Sequence, residues 1–260
     1  MSTKKYNYLK IDLQRAFGTW RFVIGVIGVC FALLYNSFGA LSVIGWLCNI
    51  SGNAVLIMAM FVFAGYPYAG AFCEDMEHHF DRQMIIRGDV FPYTCSKITV
   101  VFMSAAVTTF VGFLITVLVI TLELGIPEEE VISACLDNCY SLYRQLALER
   151  RFLLFALCTG AHLAALSGVL AVIGLLCSLF IKNRMLVYIM PVAFLYIEDI
   201  LIQRLMGWEK GSIFSLNCMG VTSLGMALET HSWQIYYFEI FALLLGLGAI
   251  ICLCFKRKVT

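Results

Sequence analysis

Residues 72–97 read FCEDMEHHFDRQMIIRGDVFPYTCSK, a polar island between two long apolar runs. The run before it is AVLIMAMFVFAGYPYAGA, residues 54–71, and the run after it is ITVVFMSAAVTTFVGFLITVLVITL, residues 98–122. Apolar helices of about 20 residues are long enough to cross the hydrocarbon core of a bilayer. We therefore expect the island to be a loop that joins two membrane spans.

The composition of the whole chain supports a membrane protein. Of its 260 residues, 61% are hydrophobic and 13% are charged, and the net charge is +1. A soluble domain is nearer half apolar and a quarter charged. The balanced charge and the lack of a recognisable binding motif exclude nucleic acid as the expected partner.

The hydropathy pattern predicts an all-α membrane protein with six transmembrane helices in one domain, residues 1–260. Residues 1–21 are expected to form an interfacial helix, because Leu9, Leu13 and Phe17 recur at helical spacing opposite Lys10 and Arg15. The segments 123–151 and 203–234 are predicted to be extracytoplasmic, and the second is a candidate re-entrant segment. The six predicted spans are residues 22–41, 54–71, 98–122, 152–180, 185–202 and 235–255.

The distribution of basic residues predicts the orientation. Most of the 18 Lys and Arg residues lie before the first span, in the polar island, between the fourth and fifth spans, and at the end of the chain. Cytoplasmic segments of membrane proteins carry an excess of Lys and Arg. We expect a multi-pass protein of the cell (cytoplasmic) membrane with both termini in the cytoplasm.

The polar island itself is predicted to start with an amphipathic helix over residues 72–87. Phe72, Met76, Phe80 and Met84 form an apolar stripe at a spacing of four, and acidic side chains lie opposite. Gly88 is expected to end this helix, and a new helix is expected to begin near Asp89 and Pro92, since proline is tolerated in a first turn.

The order of these residues resembles a known family. An F–C–E–D start, a short polar helix, an R–G step and a Y–x–x–S–K entry into a span are similar to permease subunits of ABC exporters of the ABC-2 type. The resemblance implies that the island is a coupling helix that docks on a separate ATP-binding cassette ATPase. The residues that match the family pattern are Phe72, Glu74, Asp75, Arg87 and Gly88 in the coupling segment, and Tyr93, Ser96 and Lys97 at re-entry into the membrane. The amphipathic pattern adds Glu77, Phe80, Asp81 and Arg82 to the predicted coupling residues.

The same resemblance implies the function and the partners. The chain lacks a GxxxxGK[ST] phosphate loop, so we expect it to bind no cofactor and to leave ATP and Mg to the partner ATPase. A second permease, identical or related, and membrane lipids are the other expected partners. The expected cargo is amphipathic, such as a peptide, an antibiotic or a lipid-like molecule, moved outward.

Two other functions compete with an exporter subunit. A stand-alone membrane protein that protects its own cell against a membrane-active peptide would need no ATPase. An intramembrane enzyme would need ionisable groups inside the spans, for which His162 and Glu239 are the candidates. The chain contains neither HExxH nor GxSxG, which argues against catalysis.

Three smaller features leave alternatives open. Glu74 with His78, and Asp75 with His79, have the i, i+4 spacing of metal ligands, but a solvated helix face is the preferred interpretation and no metal is predicted. Pro67 is expected to kink the second span or to serve as a gate hinge. A disulfide among the cysteines of the outer segments is open, although free thiols are favoured; these cysteines are Cys135, Cys139 and Cys218.

Overall fold

The computed structural model of the chain describes residues 8–38, 40, 42–48, 50, 54–78, 90–125, 146, 149–206 and 233–259. Throughout these ranges the regular structure is helical, which confirms the all-α prediction. The helices are α1 (Tyr8–Phe17), α2 (Trp20–Asn36), α3 (Val43–Cys48), α4 (Ala54–Gly65), α5 (Ala71–Glu77), α6 (Val90–Leu124), α7 (Phe152–Ser178), α8 (Arg184–Met206) and α9 (Trp233–Val259).

The long apolar helices make the chain a multi-pass membrane protein. Among the described residues, three helical segments are long and apolar enough to cross a membrane, and a fourth is added if the bent pair α1 and α2 counts as one span. The three are Val90–Leu124, Phe152–Ser178 and Ile240–Lys258. Two shorter apolar helices, Val55–Gly65 and Arg184–Ile197, fall below that length, so six spans stays a prediction.

The chain is interrupted near Pro67, where a kink was predicted. α4 ends at Gly65, a turn follows, and the short helix α5 begins at Ala71 and ends at Glu77. The amphipathic helix predicted over residues 72–87 therefore ends at Glu77 rather than at Arg87. Pro67 explains the first break, because it donates no backbone hydrogen bond and disfavours helical geometry in the residue before it. Residues 79–89 lie outside the described part of the chain. α6 begins at Val90 with Pro92 in its first turn, as predicted.

The helix of the first predicted span, residues 22–41, ends earlier than expected. α2 ends at Asn36, and the separate helix α3, Val43–Cys48, lies beyond that span. At its other end, α2 meets α1 at a bend of 54°. Thr19 at this bend has an extended backbone, which is incompatible with a continuous helix.

The core of the bundle lies around α7. In its most apolar window α7 is 78% buried, against 17% for α9, so α7 is central and α9 peripheral. Two glycines of α7 allow α6 to approach: a Cβ atom on either Gly160 or Gly168 would lie 2.6 Å from a phenylalanine ring of α6. Small residues at helix contacts are typical of membrane bundles, which lack a hydrophobic driving force between helices.

Candidate functional site: an ionic cluster around a short junction helix

A buried lysine occupies the centre of the candidate site. Lys97, in the second turn of α6, has a side chain that is 1% exposed. Its Nζ atom lies 2.8 Å from Oδ1 of Asp12 and 2.7 Å from Oδ2 of Asp75, and it donates to the hydroxyl of Tyr68 at 2.9 Å. Three donor positions of the ammonium therefore meet three oxygens, which offsets the large cost of burying its charge.

The two buried carboxylates also accept hydrogen bonds from hydroxyl groups, and one of them is paired with a second cation. Asp12 on α1 accepts hydrogen bonds from the hydroxyls of Tyr68 and Ser96, both at 2.6 Å. We call the group Asp12, Arg15, Tyr68, Asp75, Tyr93, Ser96 and Lys97 the ionic cluster.

Asp75 accepts a hydrogen bond from the Tyr93 hydroxyl at 2.6 Å and an ion-paired one from Arg15 Nη1 at 2.7 Å. The cluster thus contains two acidic and two basic side chains and is neutral as a whole. Burial alone would raise the pKa of the Asp75 carboxyl, but Lys97 and Arg15, with the hydrogen bonds from Lys97 and Tyr93, lower that pKa below its ordinary value. Asp75 is therefore ionised at neutral pH.

A second layer of charge surrounds this cluster nearer the surface. Glu74, 14% exposed, lies 3.4 Å from both Arg15 Nη2 and Arg184 Nη1, and it is also paired with Arg21. Glu77, 60% exposed, is paired with Arg184, and the hydrogen bond from that guanidinium lowers the pKa of the Glu77 carboxyl. These pairs connect α5 to the starts of α2 and α8.

The remaining contacts of α5 are apolar or involve a helix end. The Phe72 ring is fully buried and stacks on Phe255 of α9, with centroids 5.1 Å apart. The Cys73 thiol donates to the carbonyl oxygen of Ile181 at 2.9 Å, just past the end of α7. Burial raises the pKa of this thiol, so it keeps the proton that it donates. Lys258 of α9 donates to the Leu179 carbonyl beside it, which satisfies carbonyls that the end of α7 leaves open.

A seven-residue helix therefore contacts six others. We call α5 the junction helix. It contacts α1 and α2 through arginines, α6 through Tyr93 and Lys97, α7 and its end through Cys73, α8 through Arg184, and α9 through Phe255.

The predicted coupling residues divide between the interior and the surface. Phe72 and Asp75 are buried, Glu74 is mostly buried, and Glu77 and the neighbouring His78 are exposed. The predicted re-entry residues Tyr93, Ser96 and Lys97 are all buried in the ionic cluster. Docking to an ATPase stays a prediction, and five residues named for it lie outside the described ranges: Phe80, Asp81, Arg82, Arg87 and Gly88.

The other candidate residues are not members of the ionic cluster. His162 is buried on α7, and Glu239 lies on α9 with a side chain outside the described part. Pro67 is in the turn before the junction helix, with its ring against Gly25 of α2, and a hinge role stays a prediction. Across the described residues, no three metal-binding side chains come together. His79 and the outer cysteines Cys135, Cys139 and Cys218 lie outside those residues.

Five members of the two charge layers were not predicted as site residues, namely Asp12, Arg15, Arg21, Tyr68 and Arg184. The apolar stripe of Leu9, Leu13 and Phe17 drew attention to the wrong face of α1, because the helix buries Tyr8, Asp12 and Ala16. The partner of Asp12 on α6 is 85 positions away, so spacing alone does not reveal the pair.

Comparison of the chain with protein-family models, curated proteins and solved structures found no match.

Proposed function

We propose that the chain is the membrane-embedded permease subunit of an ATP-driven exporter of the ABC-2 type, moved by a separate ATP-binding cassette ATPase. The observation that carries this proposal is the junction helix, which contacts six helices and is held by buried ion pairs. The long apolar helices that it joins are the second support. In this proposal the six spans enclose half of a pathway, and both termini are cytoplasmic.

The ionic cluster would make the junction helix a stiff mechanical link. Asp75 is held by Lys97, Tyr93 and Arg15, at 2.6–2.7 Å each. Moving Asp75 away from Lys97 would separate two opposite charges in an interior that screens them weakly, which costs free energy. The base of α6, which carries Lys97, would therefore follow the junction helix. Binding and hydrolysis of ATP with Mg in the partner ATPase would drive the movement. Among the described residues, the exposed Glu77 and His78 would contact the ATPase.

The interior of the bundle favours an amphipathic cargo. No charged residue occurs in α6 between Lys97 and Glu123 or in α7 between Arg151 and Lys182, and the buried polar groups there are mainly hydroxyls such as Thr108, Thr109 and Ser167. Hydroxyls can bind a peptide-like or lipid-like molecule but cannot neutralise an ionic one. A second permease, identical or related, would complete the pathway.

Affinity isolation of the chain from its native membrane in mild detergent tests the proposal. We expect an ATPase with a phosphate-loop sequence to be isolated in about equal amount, identified by mass spectrometry and by its hydrolysis of ATP. Glu77→Lys is expected to reduce the amount of ATPase captured without altering membrane insertion.

Glu149→Lys is the matched control, because Glu149 is similarly exposed at 58% and is predicted to lie outside the cell. It should capture as much ATPase as the unmodified chain does. A chain isolated alone, without any ATPase, would refute the exporter subunit and would favour a stand-alone protective protein. Equal capture by both charge-reversal variants would refute the docking position.

A further inference from the structure

Two cysteines face each other across the contact between α6 and α9. The thiols of Cys95 on α6 and Cys252 on α9 are close enough to interact. Contacts on either side give the same antiparallel register: the rings of Tyr93 and Phe255 are 5.5 Å apart, and a Cβ atom on Gly248 would lie 3.8 Å from Ile98 Cδ1. The pairing of Cys95 with Cys252 therefore follows from the helix packing.

This pair differs from other cysteines of the bundle. Cys73 and Cys30 direct their thiols at backbone carbonyls of neighbouring segments, at 2.9 Å and 3.3 Å. Cys95 and Cys252 interact with each other. Both residues are partly buried, as Cys30 is, whereas Cys73 is buried. Structural buried cysteines are inert, and what distinguishes this pair from Cys30 is that each thiol has a second thiol as its neighbour.

We propose that Cys95 and Cys252 form a reversible disulfide, a redox modification site that clamps α9 to the base of α6. With hydrogen peroxide as oxidant, the sulfur of one cysteine attacks a peroxide oxygen, the O–O bond breaks, and a sulfenic acid and one water result. The second sulfur then attacks the sulfenic sulfur, the S–O bond breaks, and a second water leaves. Two thiols and one peroxide thus give one disulfide and two waters, and a dithiol reductant reverses the change.

The position of the two cysteines determines their resting redox state and the effect of their oxidation on α9. In the predicted orientation this end of the bundle is cytoplasmic, where thiols are kept reduced, so the dithiol is the resting form. Oxidation would fix α9 beside Phe255, the residue that stacks on Phe72 of the junction helix. The proposal concerns this chain alone and is independent of whether an ATPase drives it.

The test is oxidation of the purified full-length chain in detergent with hydrogen peroxide, followed by alkylation of the remaining thiols and peptide mass spectrometry. We expect a linked peptide that joins Cys95 to Cys252 and disappears after dithiothreitol. Cys95→Ser and Cys252→Ser should each abolish that peptide. Cys254→Ser, two positions further along α9, is the matched control and should keep it.

Thermal unfolding provides a second readout that does not depend on peptide recovery. Oxidation should raise the unfolding midpoint of the unmodified chain and of Cys254→Ser, and should leave the midpoint of Cys252→Ser unchanged. The proposal is overturned if peroxide yields sulfinic or sulfonic acids at Cys95 without the linked peptide. Linkage of Cys95 to other cysteines in equal yield would overturn it as well.

Discussion

Replacing Lys97 by methionine is the sharpest test of the ionic cluster. The ammonium is 1% exposed and lies within 2.8 Å of both Asp12 and Asp75, so Lys97→Met leaves two buried carboxylates without their shared cation. Removing one partner of a buried ion pair typically costs about 3–5 kcal/mol. We expect the free energy of unfolding at pH 7 to fall by about that amount, although methionine fills much of the same volume.

The pH dependence of the loss separates electrostatics from packing. In the unmodified chain the pKa of Asp75 is lowered, so its contribution to stability is present at neutral pH and declines only as the pH falls below the ordinary value of about 3.9. In Lys97→Met the buried Asp75 carboxyl loses the cation that lowers its pKa most, so it binds a proton at a higher pH. The difference between variant and unmodified chain should therefore shrink between pH 7 and pH 5.

Thermal unfolding in detergent measures this effect, at about 2–4 °C per kcal/mol for a chain of this size. The expected decrease in midpoint is thus about 6–20 °C. Lys10→Met is the control, because Lys10 is exposed on α1, and it should change stability by less than about 0.5 kcal/mol. A loss below about 1 kcal/mol for Lys97→Met, or one that does not depend on pH, would refute the argument.

Two further predictions concern packing in the same bundle. Phe72→Ala should lower the free energy of unfolding by about 3–5 kcal/mol, because the ring is fully buried. Phe91→Ala is the control and should be nearly neutral, because that side chain is 67% exposed. Equal losses for the two variants in denaturant unfolding would contradict this. Gly160→Ala should destabilise the chain by about 1–3 kcal/mol, because the new methyl group would lie 2.6 Å from the Phe113 ring. In Gly246→Ala the new methyl group has no neighbouring atom within 4 Å, so this control should be neutral or stabilising. Thermal unfolding measures both changes. A loss at Gly246 as large as that at Gly160 would show that close helix contact is not the cause.

The parts of the fold that the sequence could predict are those fixed by uninterrupted apolar runs. α6, α7 and α9 follow from such runs, and the start of α6 follows from Pro92 in its first turn. The length of the junction helix could not be predicted in this way. Apolar residues continue at a spacing of four to Met84, but most helix stability comes from tertiary packing, and periodicity does not show where that packing ends.

The candidate site was predictable only in part for a similar reason. Asp75 was predicted on a surface for a partner and Lys97 at re-entry into the membrane, and the structure places both side chains in the interior. Their burial depends on Asp12, which lies 85 positions before Lys97 and on a helix expected to face lipid. Long-range pairing of this kind is set by the packing of helices and leaves no local pattern.

In the proposed exporter, force on the junction helix reaches the other helices through its buried contacts. Hydrogen–deuterium exchange on the chain isolated with its ATPase, with and without ATP and vanadate, tests this transmission most directly. We expect nucleotide to change amide exchange in Ala71–Glu77 together with the ends that contact it, namely α1, the start of α6 and the end of α7. Unchanged exchange in the junction helix, while the ATPase is bound and responds to nucleotide, would contradict it.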